Sequence, residues 1–75
     1  MTGDELKNTF DAWQISAAQG AKVLCLHTSR VSEYLGDVST IPCSVSFHVE
    51  ALDLLERTQR AKLIAKRLQR KHHHG

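Results

Sequence analysis

Residues 17–36 read AAQGAKVLCLHTSRVSEYLG, and the predicted fold is built around these twenty residues. Its first part is rich in small residues, which allow another helix to approach closely. Gly20 costs roughly 1 kcal/mol of helix propensity relative to alanine, so we expect a packing contact that requires it. The second part has apolar residues three positions apart, as on the inward face of a helix. The stretch therefore predicts helices at about 17–24 and 28–35, with a break between them.

Capping signals mark the starts of two helices in the N-terminal half. In each of two pairs, a hydroxyl residue is followed three positions later by Glu or Gln, the pattern of a capping box. The pairs are Thr2 with Glu5 and Ser16 with Gln19. After the first pair, Leu6, Phe10 and Trp13 recur at helical spacing. This spacing predicts a first helix of about ten residues.

The C-terminal half is also helical in its periodicity, and it carries more apolar residues than one buried face needs. Pro42 suits the first turn of a helix that extends through residue 55. Either Thr58 caps a separate last helix, or the preceding helix runs on without a break. This last segment has an apolar side and a basic side. The surplus apolar surface predicts a two-fold homodimer. The residues predicted in its interface are Val45, Phe47, Val49, Leu52 and Leu55.

Length and pattern favour a single all-α domain. A chain of 75 residues supports one core, and no segment alternates as a strand does. We expect residues 1–71 to form a compact four- to five-helix bundle that contains a helix-turn-helix motif, with the dimerisation and basic helices at its C-terminal end. Residues 72–75, HHHG, read as a purification-tag remnant or a native tail, and are excluded from the fold.

The composition also argues against several kinds of protein. With 1 Trp, 1 Tyr and 2 Phe, the chain has few rings for stacking on single-stranded nucleic acid. It lacks an apolar run of roughly 20 residues and a signal pattern, so we expect a cytoplasmic protein without a membrane partner. Cys25 and Cys43 are predicted to be small buried residues and not a disulfide or metal site. We expect no enzyme, cofactor or small-molecule ligand, because no nucleophile–base pair or phosphate loop is recognisable.

Charge is polarised along the chain. Residues 1–56 carry three Lys or Arg and eight carboxylates, a formal charge of −5, whereas residues 57–75 carry seven cations and no acid. We expect the basic end to meet an anionic partner or the acidic face of a second copy.

Residues 17–36 resemble the helix-turn-helix unit of phage Cro and repressor-type regulators. The positions that carry the resemblance are Ala21 at the helix crossing, Leu24 and Leu26 beside the turn, and Val31 and Tyr34 on the inner face of the second helix. That family usually has Gly in the turn where this chain has Cys25, so the turn has to accept a side chain. Residues 41–52 are similar to the segment that follows the recognition helix in small phage and mobile-element regulators, such as the anti-CRISPR-associated repressors.

The resemblance implies that the helix at residues 28–35 enters the major groove of duplex DNA while the preceding helix crosses the backbone. The residues then expected to face bases are His27, Thr28, Ser29, Arg30, Ser32 and Glu33. Those expected at phosphates are Ser16, Gln19 and Lys22. The alternative for each of the first group is an ordinary solvated side chain, and for Ser16 and Gln19 it is helix capping.

Together these patterns predict a sequence-specific, dimeric regulator of transcription that reads an inverted repeat in double-stranded DNA. Analogy with phage and mobile-element proteins favours a repressor that controls its own promoter. The alternative is a protein-interaction module, such as an antitoxin or adaptor, that grips another protein with the helices of residues 45–68.

Overall fold

The computed structural model describes residues 1–69, which form five α-helices and no strand. The helices are α1 (Gly3–Trp13), α2 (Ala17–Leu24), α3 (Thr28–Leu35), α4 (Cys43–Asp53) and α5 (Arg57–Gln69). The prediction of an all-α bundle of four to five helices is therefore confirmed. The tag or tail predicted at residues 72–75 lies outside the described residues.

Both predicted capping boxes form. The Glu5 N–H donates to Thr2 Oγ1 at 3.2 Å, and the Thr2 N–H donates to Glu5 Oε1 at 2.8 Å. This second bond, which stabilises the carboxylate, is the main reason that the pKa of Glu5 is lowered. Ser16 and Gln19 exchange the same two bonds at the start of α2. The last helix differs from expectation, because α5 begins at Arg57 and Thr58 therefore lies inside its first turn.

The short helix α2 lies at the centre of the bundle and contacts each of the other four helices. Its buried residues include Gly20 and Ala21, which lets its neighbours approach closely. A Cβ atom at Gly20 would lie 2.4 Å from Cζ of the Phe10 ring. The packing contact expected at Gly20 is thus the ring of Phe10 on α1.

The core takes apolar side chains from all five helices, and this corrects the predicted dimer interface. Val45, Val49 and Leu52 are only 8%, 1% and 4% exposed, because the inner face of α4 is covered by the rest of the chain. Leu55 is half-buried against the same core. These four residues belong to the fold of one chain, and only Phe47, which is 64% exposed, remains on the surface. The predicted burial of Cys25 and Cys43 is also wrong, since both are exposed.

Two arginines of α5 close the C-terminal ends of other helices. Arg60 Nη1 donates to the carbonyls of Asp53 and Leu55, at 3.0 and 3.1 Å, just where α4 ends. Arg67 Nη1 donates to the Val23 carbonyl near the end of α2, at 2.8 Å. A cation is favourable at a helix C-terminus because unpaired carbonyls and the helix dipole concentrate negative charge there.

The contact between α1 and α2 can be tested with Gly20→Ala. We expect this variant to lose about 1–3 kcal/mol of stability in urea denaturation, because the new methyl group overlaps the buried Phe10 ring. Gly36→Ala is the matched control: its backbone has φ −90° and its Cβ would meet the nearest atom at 3.4 Å. We expect the control to be unchanged or more stable by up to about 1 kcal/mol. A Gly20→Ala protein as stable as the original would contradict the close packing.

Candidate nucleic-acid interface

Helix α3 has one face in the core and one in solvent. Val31 is fully buried and Tyr34 nearly so, which fixes the rotation of the helix about its axis. The side chains predicted to face bases lie on the other side, and His27, Thr28, Ser29, Arg30 and Ser32 are all exposed. The structure therefore brings these five residues together on one accessible surface, which we call the α3 outer face.

Glu33 occupies a different position from the other predicted base-facing residues. It is half-buried, and its Oε1 lies 3.9 Å from Arg30 Nη1 and accepts a hydrogen bond from the Ser39 hydroxyl at 3.3 Å. Its backbone carbonyl also accepts from the Val38 N–H at 2.9 Å. Glu33 thus anchors the loop after α3 and lies beside the guanidinium of Arg30 at the edge of the outer face.

The start of α3 is open. His27 occupies the N-cap position but makes no side-chain capping bond. Its carbonyl accepts from the N–H groups of Arg30 and Val31 at 3.0 and 3.2 Å, which leaves the N–H groups of Thr28 and Ser29 directed outward in the first turn. Such an end favours an anionic group through both the N–H donors and the helix dipole.

The residues predicted at phosphates lie on α2 or at its start, and all three are exposed. The side chains of Ser16 and Gln19 cap α2, so the capping alternative holds for both. Capping uses the Gln19 oxygen as an acceptor and leaves its amide N–H groups for another partner. Lys22 lines an open pocket beside the turn, together with Cys25, His27 and Thr28, and the volume of this pocket is about 460 Å³.

The turn between α2 and α3 consists of residues 25–27 and depends on a left-handed residue at its first position. Cys25 has φ 60° and ψ 44°, and its N–H bonds back to the carbonyls of α2. The Leu26 N–H donates to the Ala21 carbonyl at 2.8 Å, which completes the reversal. The family resemblance placed Gly at this position, and the backbone here is the one that favours Gly.

The basic C-terminal helix is only partly available to an anionic partner. Arg60 and Arg67 are half-buried and cap other helices, whereas Arg57, Lys62 and Lys66 are exposed. Sequence reasoning missed both capping arginines, because a count of charges does not distinguish cations that bind the chain's own carbonyls. The usable signal was helical spacing from an apolar residue. Arg60 precedes Ile64 by four residues and Arg67 follows it by three, so both arginines lie on the apolar side of α5.

Comparison of the chain with family models, with curated proteins and with solved structures finds no match. Within residues 1–69, no helix has the length and apolar character needed to cross a membrane. The same part of the chain contains no cluster of three or more side chains suited to a metal ion.

The left-handed turn predicts that Cys25→Gly stabilises the protein. A non-glycine residue in this conformation is strained, so we expect a gain of about 0.5–1 kcal/mol in urea denaturation. The control is Ala65→Gly in the exposed part of α5, which should lose about 0.5–1 kcal/mol because its backbone is right-handed helix. Loss of stability in both variants would show that the Cys25 side chain matters more than its backbone conformation.

Proposed function

We propose that this protein binds double-stranded DNA with the α3 outer face and regulates transcription. The observation that carries the proposal is the division of α3 into a buried side, held by Val31 and Tyr34, and an exposed side of short polar residues around Arg30. A groove-reading helix needs both, because it has to be held rigidly while its outer side chains remain accessible.

The dimensions of α3 suit the major groove. An α-helix with its side chains is about 10–12 Å across, which fits the groove width of about 12 Å in B-DNA, and the eight residues of α3 extend for about 12 Å. Thr28, Ser29 and Ser32 are short enough to let the helix approach base edges closely and can donate or accept hydrogen bonds. Arg30 offers the fork of donors that matches guanine O6 and N7. The nearby Glu33 carboxylate restricts where that fork can point.

Phosphate binding would come from the edges of this surface. The open start of α3 and the exposed Lys22 lie at the turn, and α5 packs against α2, the helix expected to cross the DNA backbone. The exposed cations of α5 therefore belong to a helix that lies beside α2. Since cations at phosphates supply most of the non-specific affinity, binding should weaken steeply with salt.

We further infer that the protein acts as a homodimer, with the outer side of α4 as the interface. Phe47 and Leu54 are 64% and 81% exposed, stand seven residues apart on one side of α4, and have the exposed Ala51 between them. We call these three residues the α4 outer stripe. Two rigid copies would present two α3 helices to the two halves of an inverted repeat. By analogy with other small regulators, the bound dimer would repress transcription by occluding its promoter.

Charge favours a second copy as the partner of the stripe. The exposed acids Glu50 and Asp53 flank it, and residues 38–56 contain no Lys or Arg. Each copy also offers the exposed cations of α5, so a second copy carries the complementary charge.

The DNA-binding proposal can be tested by selecting duplexes from a random-sequence pool with the purified protein and measuring affinity by fluorescence anisotropy over a salt series. Arg30→Ala combined with Ser32→Ala should weaken binding to the selected duplex by at least about tenfold, because both side chains lie on the α3 outer face. The matched control is Lys7→Ala combined with Asn8→Ala on the exposed side of α1, which should leave affinity unchanged.

Circular dichroism should show both double variants folded. The Lys7–Asp11 ion pair lost in the control is exposed and contributes only about 0.5 kcal/mol or less. Equal affinity of the two double variants, or failure to select any duplex, would overturn the proposal. Tight binding of another protein without DNA binding would favour the alternative, an interaction module that uses α4 and α5.

The dimer can be tested separately by sedimentation equilibrium. Phe47→Ser combined with Leu54→Ser should raise the dimer dissociation constant by about 100-fold or more, because apolar area buried in both copies is lost. Val38→Ser is the control, since Val38 is 78% exposed but lies in the loop before α4. A monomeric wild-type protein, or a double variant that still dimerises normally, would contradict this interface.

A further inference from the structure

One guanidinium joins three helices behind the turn. Arg67 Nη1 of α5 lies 2.8 Å from the Val23 carbonyl of α2 and 3.0 Å from His48 Nε2 of α4. Both contacts are partly buried, and they join residues 44 and 19 positions apart in sequence. We call this arrangement the Arg67 junction.

We propose that Arg67 is a positioning residue for DNA binding, and that the protonation state of His48 determines whether it holds the end of α2. The inference rests on the proposed function, because it concerns the helix pair expected to contact DNA. The geometry explains the link: Val23 immediately precedes Leu24, the last residue of α2, and the turn begins at Cys25. A constraint on the Val23 carbonyl therefore acts on the direction in which the chain enters α3.

The junction requires neutral His48. Arg67 has only N–H donors, so His48 Nε2 has to act as an acceptor, which an imidazolium nitrogen cannot do. Protonation would also place two positive charges about 3.0 Å apart. Burial, and then the charge of Arg67, lower the pKa of His48 below its ordinary value of 6.5.

Among the charged groups around the junction, Arg67 is the one that acts on His48, after the larger effect of burial. From α5, the group that faces the imidazole is Arg67 itself. The group of α2 that contacts Arg67 is the uncharged carbonyl of Val23. The charged residue of α2 is Lys22, and its side chain is exposed. On α4, the acids Glu50 and Asp53 lie on exposed positions.

The sign of the pH effect follows from the lowered pKa. Because the junction lowers the pKa of His48, the state without the junction binds the proton more tightly. The junction is therefore fully formed above about pH 6.5, the ordinary pKa of histidine, and is lost as the pH falls from there through the lowered pKa. DNA affinity should decrease over the same range.

The experiment compares the 75-residue chain with its His48→Gln variant, whose amide oxygen keeps an acceptor for Arg67 but does not titrate. Affinity for the selected duplex is measured from about pH 7.5 to about pH 5.5, the range in which histidine titrates. We expect the ratio of wild-type to His48→Gln affinity to fall about fivefold or more towards low pH, the size of a typical coupling between two sites. The other histidines are present in both proteins, so the ratio isolates His48.

Two further measurements separate positioning from general stability. In NMR spectra without DNA, the amide signals of residues 23–26 should shift with the same midpoint as the His48 ring signal, and should not do so in His48→Gln. Arg67→Lys, which keeps a cation at the end of α2, should retain more DNA affinity than Arg67→Ala when both are folded.

A pH-independent affinity ratio, together with amide signals that do not follow His48, would overturn the inference. If no duplex is selected but the amides follow His48, the junction is a real conformational link and the proposed DNA binding fails. If DNA is bound and neither readout follows His48, the proposed function stands and the role of Arg67 is refuted.

Discussion

The fold depends on one steric constraint, which is that an eight-residue helix has to contact four others. Helix α2 meets this constraint by carrying no large side chain at its closest approach, where the Phe10 ring occupies the space that a Cβ of Gly20 would need. Isolated helices this short are marginal in water, so α2 is stable mainly through its tertiary contacts. The small residues at 17–21 therefore determine both the helix itself and the arrangement of its neighbours.

A second consequence of short helices is that much of the backbone lies in terminal turns, where carbonyls lack partners within the helix. This chain supplies those partners from α5, since Arg60 closes α4 and Arg67 closes α2. From the sequence, the same helix was expected to supply the positive charge for an anionic partner. Within residues 57–69 the cations thus fall into two groups: Arg60 and Arg67 bind carbonyls of the chain itself, and Arg57, Lys62 and Lys66 are exposed. Only the exposed group can serve the DNA binding that we propose.

Local signals made much of this predictable. Both capping boxes, the break at residues 25–27 and the inward side of α3 depend on residues close in sequence, and all were predicted correctly. The α4 surface was misjudged, because periodicity shows which residues share a side but not which element covers it. Val45, Val49 and Leu52 are covered by the chain itself, whereas Phe47 and Leu54 are not. The Arg67 junction joins residues 44 and 19 positions apart, a distance beyond the reach of any local pattern.

In the proposed DNA-binding role, the exposed side of α3 discriminates between base sequences only as well as the rest of the domain holds the helix in place. Val31 and Tyr34 fix its rotation, but they do not fix its tilt relative to α2, which depends on the turn. That turn contains a strained residue, Cys25, whose left-handed conformation is held by bonds to α2 carbonyls. Arg67 binds the next carbonyl in the same series, that of Val23. The geometry of the proposed DNA-reading surface is therefore set partly by α4 and α5, which follow α3 in sequence. Helix α4 also carries the stripe through which we infer that two copies pair.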